Sequence, residues 1–369
     1  MGARKKAQGG DASRYGIGEW YGHLLASLSL EKLKEFAEIG NGHLSGLPCP
    51  FRRRADPAAL CKKKGGVCSI QKHIKRPGGD VELAGSLVTL CPSRFWEENK
   101  IFAQIGEEML GTNIPNLVKE VPFLSSIVEA EETSKEESEH ASETGEESGL
   151  GKPVGRIDMI LVHPEDSAKW CALEVQAVYF SGKGMGTHLA QYKAPDTIPM
   201  FPDKIRRPDF RSSGPKRLMP QLQTKVPTLR RWGKKMAVVV DLPFLKSLGR
   251  LEAEAHISNS DIVWFVVDYD TDTGRLEIVR RIPTTLENSV KALTAGIPLN
   301  LEDFEGVVNT LLKSRAKKAR DKVIKLSNPQ PSSEGGSELH GGAELPDTDD
   351  TIATSPAPGQ SELSLGSGK

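Results

Sequence analysis

The run MAVVVDLPF, residues 236–244, constrains the fold most. It lacks the alternation of a half-exposed strand and reads as a buried strand, the kind found in sheets covered by helices. The segments around it have a definite order. Ser93 is placed to cap a helix running to about residue 110, with Phe95, Phe102, Ile105 and Met109 near one face and Gly111 suited to the stop. Three β-like runs follow, at residues 116–124, 155–162 and 170–180. A helix at 219–232 comes next, with Pro220 in its first turn and Pro227 as a kink, and then the buried strand. Strands at 261–269 and 275–282 and a terminal helix at 302–325 complete the order. Helix, three strands, helix, strand predicts an α/β fold with a mixed central sheet flanked by helices.

Composition narrows the class. The chain has 369 residues, 37% of them hydrophobic, with 36 Gly and 24 Pro. That is enough for a substantial core and excludes collagen, a coiled coil or a disulfide mini-protein. No apolar run is long enough to span a bilayer, and the basic N-terminus is not followed by an apolar signal region. A cytoplasmic protein with no membrane partner is therefore expected.

The 49 Lys and Arg balance the 49 Asp and Glu, but the charge is segregated. Residues 128–147 carry nine Glu and one Lys, which predicts a mobile acidic loop over 128–152. Residues 327–369, rich in Ser, Gly, Pro and acids, read as a disordered tail. Residues 204–235 hold eleven Lys and Arg, and residues 313–325 hold seven. Either basic run alone is what a solvated face looks like; together with acidic tails they suit a nucleic-acid binder.

Asp158 lies in GRIDMIL, and Glu174 and Gln176 lie in LEVQ. Glu174 and Gln176 are two apart on a strand, so they share a face, while Leu173, Val175 and Ala177 turn to the core. If the two strands form an antiparallel hairpin, Asp158 lies beside Glu174. Two carboxylates on adjacent strands make a hard oxygen site for Mg²⁺, which can activate water for attack on a phosphodiester. Gln176 can orient that water but supplies no positive charge. By itself the spacing D-x15-E-x-Q is unspecific.

Four of the five cysteines, Cys49, Cys61, Cys68 and Cys91, fall in one window with spacing C-x11-C-x6-C-x22-C. Clustered thiols in an intracellular chain point to a metal. Four thiolates suit Zn²⁺ first and iron second. The window is rich in Gly and Pro and reads as loops held by the ion; its many Lys and Arg suit phosphate contact. Cys171 reads as a small core residue.

The phrases Cys49-Pro50-Phe51, Gly66-Val67-Cys68, Leu90-Cys91-Pro92-Ser93-Arg94 and Leu173-Glu174-Val175-Gln176 resemble the NotI-type restriction endonucleases. The resemblance covers roughly residues 49–241. It implies a four-cysteine metal module beside a PD-(D/E)XK nuclease core with Gln at the third catalytic position. Carried over, Asp158, Glu174 and Gln176 are catalytic, Asp158 and Glu174 hold Mg²⁺, and Cys49, Cys61, Cys68 and Cys91 bind iron. An additional acidic residue is expected; Glu120 is the first choice and Glu108 the alternative. The implied activity is sequence-specific cleavage of double-stranded DNA by a type II restriction endonuclease, leaving 5′-phosphate and 3′-hydroxyl ends. A homodimer and a companion DNA methyltransferase are expected partners. The acidic loop and tail are not part of the matching phrases.

The expected organisation is an N-terminal arm with a helix (1–40), a four-cysteine metal module (41–92), the nuclease core (93–326) and the tail (327–369). Two readings compete: a metal-stabilised DNA-binding or regulatory protein without catalysis, and a repair nuclease on the same core.

Overall fold

The computed structural model describes residues 12–39, 46–125, 153–182, 184–195, 198–270, 272–294, 296 and 299–314. The expected acidic loop, the tail and the basic residues beyond 314 lie outside them. The chain divides into two units, residues 1–297 and 298–369.

In the first unit, strands β1 (Ala12–Trp20) and β2 (His23–Leu24) precede helix α1 (Leu30–Ile39). Strands β3 (Val67–Lys75) and β4 (Val81–Thr89) lead through a 3-10 segment to α2 (Lys100–Leu110). Then come β5 (Asn116–Ser125), β6 (Pro153–Val162) and β7 (Trp170–Val175). Strand β8 (Tyr179–Gly182), helix α3 (Gly186–Gln191), strand β9 (Arg206–Asp209) and helix α4 (Phe210–Ser213) form a side layer. Helix α5 (Met219–Arg231), β10 (Met236–Asp241), α6 (Leu242–Ser247), β11 (Ile262–Tyr269), β12 (Leu276–Thr284) and α7 (Leu286–Thr294) close the unit.

The expected mixed sheet is present. Six strands run in the order β12-β11-β10-β7-β6-β5, with β10 parallel to both neighbours and the other pairs antiparallel. All six residues of β10 are buried, as its apolar run requires. Pro122 is tolerated because β5 is an edge strand, where a missing N–H breaks no inner ladder. On one face, Ile160, Ala172, Val238 and Trp264 pack with Leu222, Val226 and Leu229 of α5. On the other, Leu161, Leu173, Val239 and Phe265 pack with Ile101, Phe102 and Ile105 of α2.

A second sheet, β2-β1-β3-β4, joins the α5 side of this core through Ile17, Trp20, Val67 and Ile70. Two buried polar contacts tie it on. The Asp241 carboxylate accepts from Thr89 N (2.7 Å) and caps α6 through Phe244 N (2.8 Å). Arg94 Nε lies 2.8 Å from Glu19 of β1, and its Nη2 donates to Gly274 O (2.7 Å). Gly16 has no room for a side chain: a Cβ would stand 2.6 Å from Pro202 and 2.7 Å from both His73 and His188.

The structure corrects several boundaries. The third predicted strand stops at Val175, and Tyr179 to Gly182 pair instead with β9. Ser93 does not cap α2, because Glu98 and Asn99 take positive φ and break the helix before Lys100; Gly111 does end it, at φ 74°. The buried strand yields to α6 at Leu242, where Asp241 offers a better cap than another ladder bond. The cysteine window is irregular in its first part, as expected, but β3 and β4 form a hairpin in its second. Residues 12–20, expected in an arm, are the strand that pairs with β3.

In the second unit, α8 (Leu301–Lys313) is capped by the Asn300 side chain, which accepts from Asp303 N at 2.8 Å. The helix expected over 302–325 is thus shorter: it ends at Lys313, where Ser314 turns to extended backbone. Among the described residues no helix is long and apolar enough to cross a membrane.

Candidate active site

The antiparallel register of β6 and β7 pairs Met159 with Leu173 and Ile160 with Ala172. One step further along the same ladder sets Asp158 opposite Glu174, and both project to the α5 side of the sheet. Glu174 is buried, while the Asp158 side chain is 48% exposed. They frame a cleft of about 330 Å³ whose walls include Lys63, Gln176, Tyr179, Arg217 and Gln221.

Behind the two acids lies Lys225 of α5, buried and ion-paired with both. Its Nζ is 2.9 Å from Glu174 Oε2, 3.5 Å from Asp158 Oδ2 and 2.8 Å from Gln221 Oε1. Burial pushes the Glu174 carboxyl up to about 7; Lys225 pulls it down and Asp158 pushes it up. Sequence reasoning missed Lys225. A signal for it existed: the lysine stands on the buried stripe of α5, three residues after Leu222 and next to Val226.

Gln176 lies just past the end of β7, anchored by its N–H on Val239 O at 2.9 Å. Its side chain is buried in the cleft wall and donates from Nε2 to Ala177 O at 2.5 Å. It makes no hydrogen bond to either carboxylate. Glu120 sits in β5 between Lys119, paired with Met159, and Val121, paired with Ile157, and so lies across from Asp158. Its φ of 57° puts it in the left-handed region, a strained position for a non-glycine residue in a strand. Glu108 belongs to α2 on the opposite face of the sheet and is ion-paired with Arg281.

The basic run at 204–235 is not one open face. Arg206 and Lys225 are buried, and Arg230 is paired with Asp261 and Glu287. Lys204, Arg207, Arg211, Lys216 and Arg217 are exposed. Arg217 stacks 3.7 Å above the Tyr179 ring and donates to its hydroxyl at 2.9 Å, at the cleft mouth.

The backbone brings the four clustered cysteines into one neighbourhood. Cys49 N donates to Ala59 O and Cys61 N to Leu47 O, at 2.8 and 2.7 Å, while Cys91 N donates to Cys68 O at 3.1 Å. Burial raises the thiols of Cys61, Cys68 and Cys91, and in each case a neighbouring cysteine adds to the rise. Lys63 sits among them and donates to Leu90 O at 2.7 Å. Four convergent thiols are the donor chemistry of a tetrahedral sulfur site. Among the described residues, however, no three His, Cys, Asp or Glu side chains are arranged to hold a metal ion. Cys171 is buried against α2 as a core residue.

A family model described as "Restriction endonuclease NotI" matches residues 37–277. The chain belongs to the NotI restriction endonuclease family. It is accordingly a type II site-specific deoxyribonuclease, and DNA is its partner. The NotI match spans the clustered cysteines and the whole Asp158–Glu174–Gln176 set. β1 precedes the matched stretch, although its Glu19 pairs with Arg94 inside it. No curated protein matches the chain.

Proposed function

We propose that this endonuclease cuts both strands of a specific DNA site in a Mg²⁺-dependent reaction on a PD-(D/E)XK core, leaving 5′-phosphate and 3′-hydroxyl ends. The observation carrying this reading is the facing of Asp158 and Glu174 across β6 and β7 at the cleft. Their oxygens suit a hard divalent cation, and a buried Glu174 pushed toward neutrality is a group whose ionised form such a cation favours. When bound, Mg²⁺ polarises a phosphoryl oxygen and acidifies water.

The chain's own residues supply the rest. Gln176 has its Nε2 committed to Ala177, which leaves its Oε1 to accept a hydrogen bond from the attacking water and aim it. Arg217, held flat on Tyr179, meets a phosphate oxygen at the cleft entrance. Glu120, across from Asp158, is the additional acidic residue. Cys49, Cys61, Cys68 and Cys91, whose donor chemistry suits iron with zinc as the alternative, would be drawn together by such an ion and would then fix the Lys63 wall of the cleft. Two active sites on two strands call for a homodimer on a palindromic site, and a companion methyltransferase protects host DNA.

The test is incubation of purified protein with phage DNA and Mg²⁺, followed by mapping of the ends. Discrete fragments with ligatable 5′-phosphates support the proposal. DNA that is bound but uncut, or nicked without a fixed sequence, refutes it.

A further inference from the structure

We propose that Lys225 is a positioning residue for strand cleavage: from α5 it supplies the positive charge that Gln176 cannot, and it gathers Asp158 and Glu174 into one site. This deepens the reading above and rests on it. Cleavage brings a phosphodiester anion against two carboxylates, so an uncompensated pair repels both its substrate and itself. Among the described residues, Lys225 is the ion-pair partner of both acids, at 2.9 and 3.5 Å. Its side chain is 7% exposed, so the charge is held in a poorly screened place where a lone lysine would be costly. The third contact, to Gln221 Oε1 at 2.8 Å, comes from one helical turn earlier and fixes the ammonium on its helix.

The geometry separates this role from DNA anchoring. Lys225 is buried and reaches the two carboxylates without lining the cleft itself, whereas Arg217 is exposed and lines it. A buried cation paired with the acids acts through the acids it orients. Its loss therefore slows the chemical step more than it weakens DNA binding. Fixed charges of this kind contribute on the order of 10²–10³-fold to a rate.

The experiment compares K225M and K225R in the full chain. Three readouts are taken: single-turnover cleavage of phage DNA with Mg²⁺, DNA affinity with Ca²⁺ in place of Mg²⁺, and the melting shift caused by Ca²⁺ without DNA. The expectation for K225M is cleavage slowed about 100-fold or more, DNA affinity within about threefold of wild type, and a persisting Ca²⁺ shift. K225R is expected to recover at least about tenfold of the lost rate because it restores the charge. Equal slowing in K225M and K225R overturns the charge argument. Unchanged cleavage in K225M makes Lys225 a bystander. Loss of the Ca²⁺ shift together with a collapsed melting temperature makes it a structural residue. Failure of the underlying nuclease reading looks different: wild type itself shows neither Mg²⁺-dependent cutting nor a Ca²⁺ shift that D158N removes.

Discussion

Replacing Arg94 with Met tests what fastens the β1–β4 sheet to the core. The Arg94 and Glu19 side chains are 1% and 2% exposed. Arg94 contacts Glu19, Glu97 and the Gly274 carbonyl, and its guanidinium lies 4.5 Å over Phe51 and 5.1 Å over Tyr269. Burial holds the Glu19 carboxyl near 7 despite Arg94, so desolvation outweighs the attraction and the pair as such adds little net stability. Removing one partner is another matter, because Glu19 and the Gly274 carbonyl are left buried. One-sided removal costs about 3–5 kcal/mol, and proton uptake by Glu19 keeps the figure near the lower end, about 3 kcal/mol. The double variant R94M/E19M removes both polar groups, so most of that loss should return. Equilibrium urea unfolding of wild type, both single variants and the double variant gives the coupling directly. An R94M loss under about 1 kcal/mol, or a double variant no more stable than R94M, refutes the reasoning.

Three further outcomes are expected. Burial holds His73 and His188 at about 4, below the ordinary 6.5, and both Nε2 atoms lack a partner. A depressed basic group is neutral in both states above 6.5, so it costs nothing there. As pH falls from 6.5 to 4 the unfolded chain takes the proton first, and up to about 3 kcal/mol per histidine is lost. Glu19, Glu174 and Asp241, all raised, act in the opposite sense, so the readout is the difference between wild type and H73F/H188F. A pH-independent difference between 7 and 4.5 contradicts it. Asp158→Asn should abolish cleavage, by 10²-fold or more on the order of known charge deletions, and leave DNA binding by gel shift intact; loss of the folded state instead would make Asp158 structural. Cys68→Ser should lower bound metal per chain, measured by mass spectrometry, together with the melting temperature, and unchanged values in both would remove the metal assignment.

The carboxylate hairpin was legible because strand periodicity is local. GRIDMIL and LEVQ each display their inward and outward faces in a few residues, and the short link between them leaves an antiparallel pairing as the simple outcome. Glu120 and Glu108 were not separable by sequence, since their placement on opposite faces depends on how α2 packs. The β1–β3–β4 sheet was hidden for a related reason. Its strands carry Gly16, Gly18, Lys72 and Lys75, residues of loops and solvated faces, and become strands through close packing against His188 and Pro202.

Short-range chemistry written in the chain therefore set the strand that must be buried, the facing acids, the neutral Gln176 and the clustered thiols. Bringing Lys225 from α5 beneath Glu174, 51 residues away, was the work of the tertiary fold alone. So was the division of the basic run into buried, paired and open charges. Helix-on-sheet packing sums contacts between segments that no local pattern encodes, and a buried charge is tolerable only where that packing also delivers its partner.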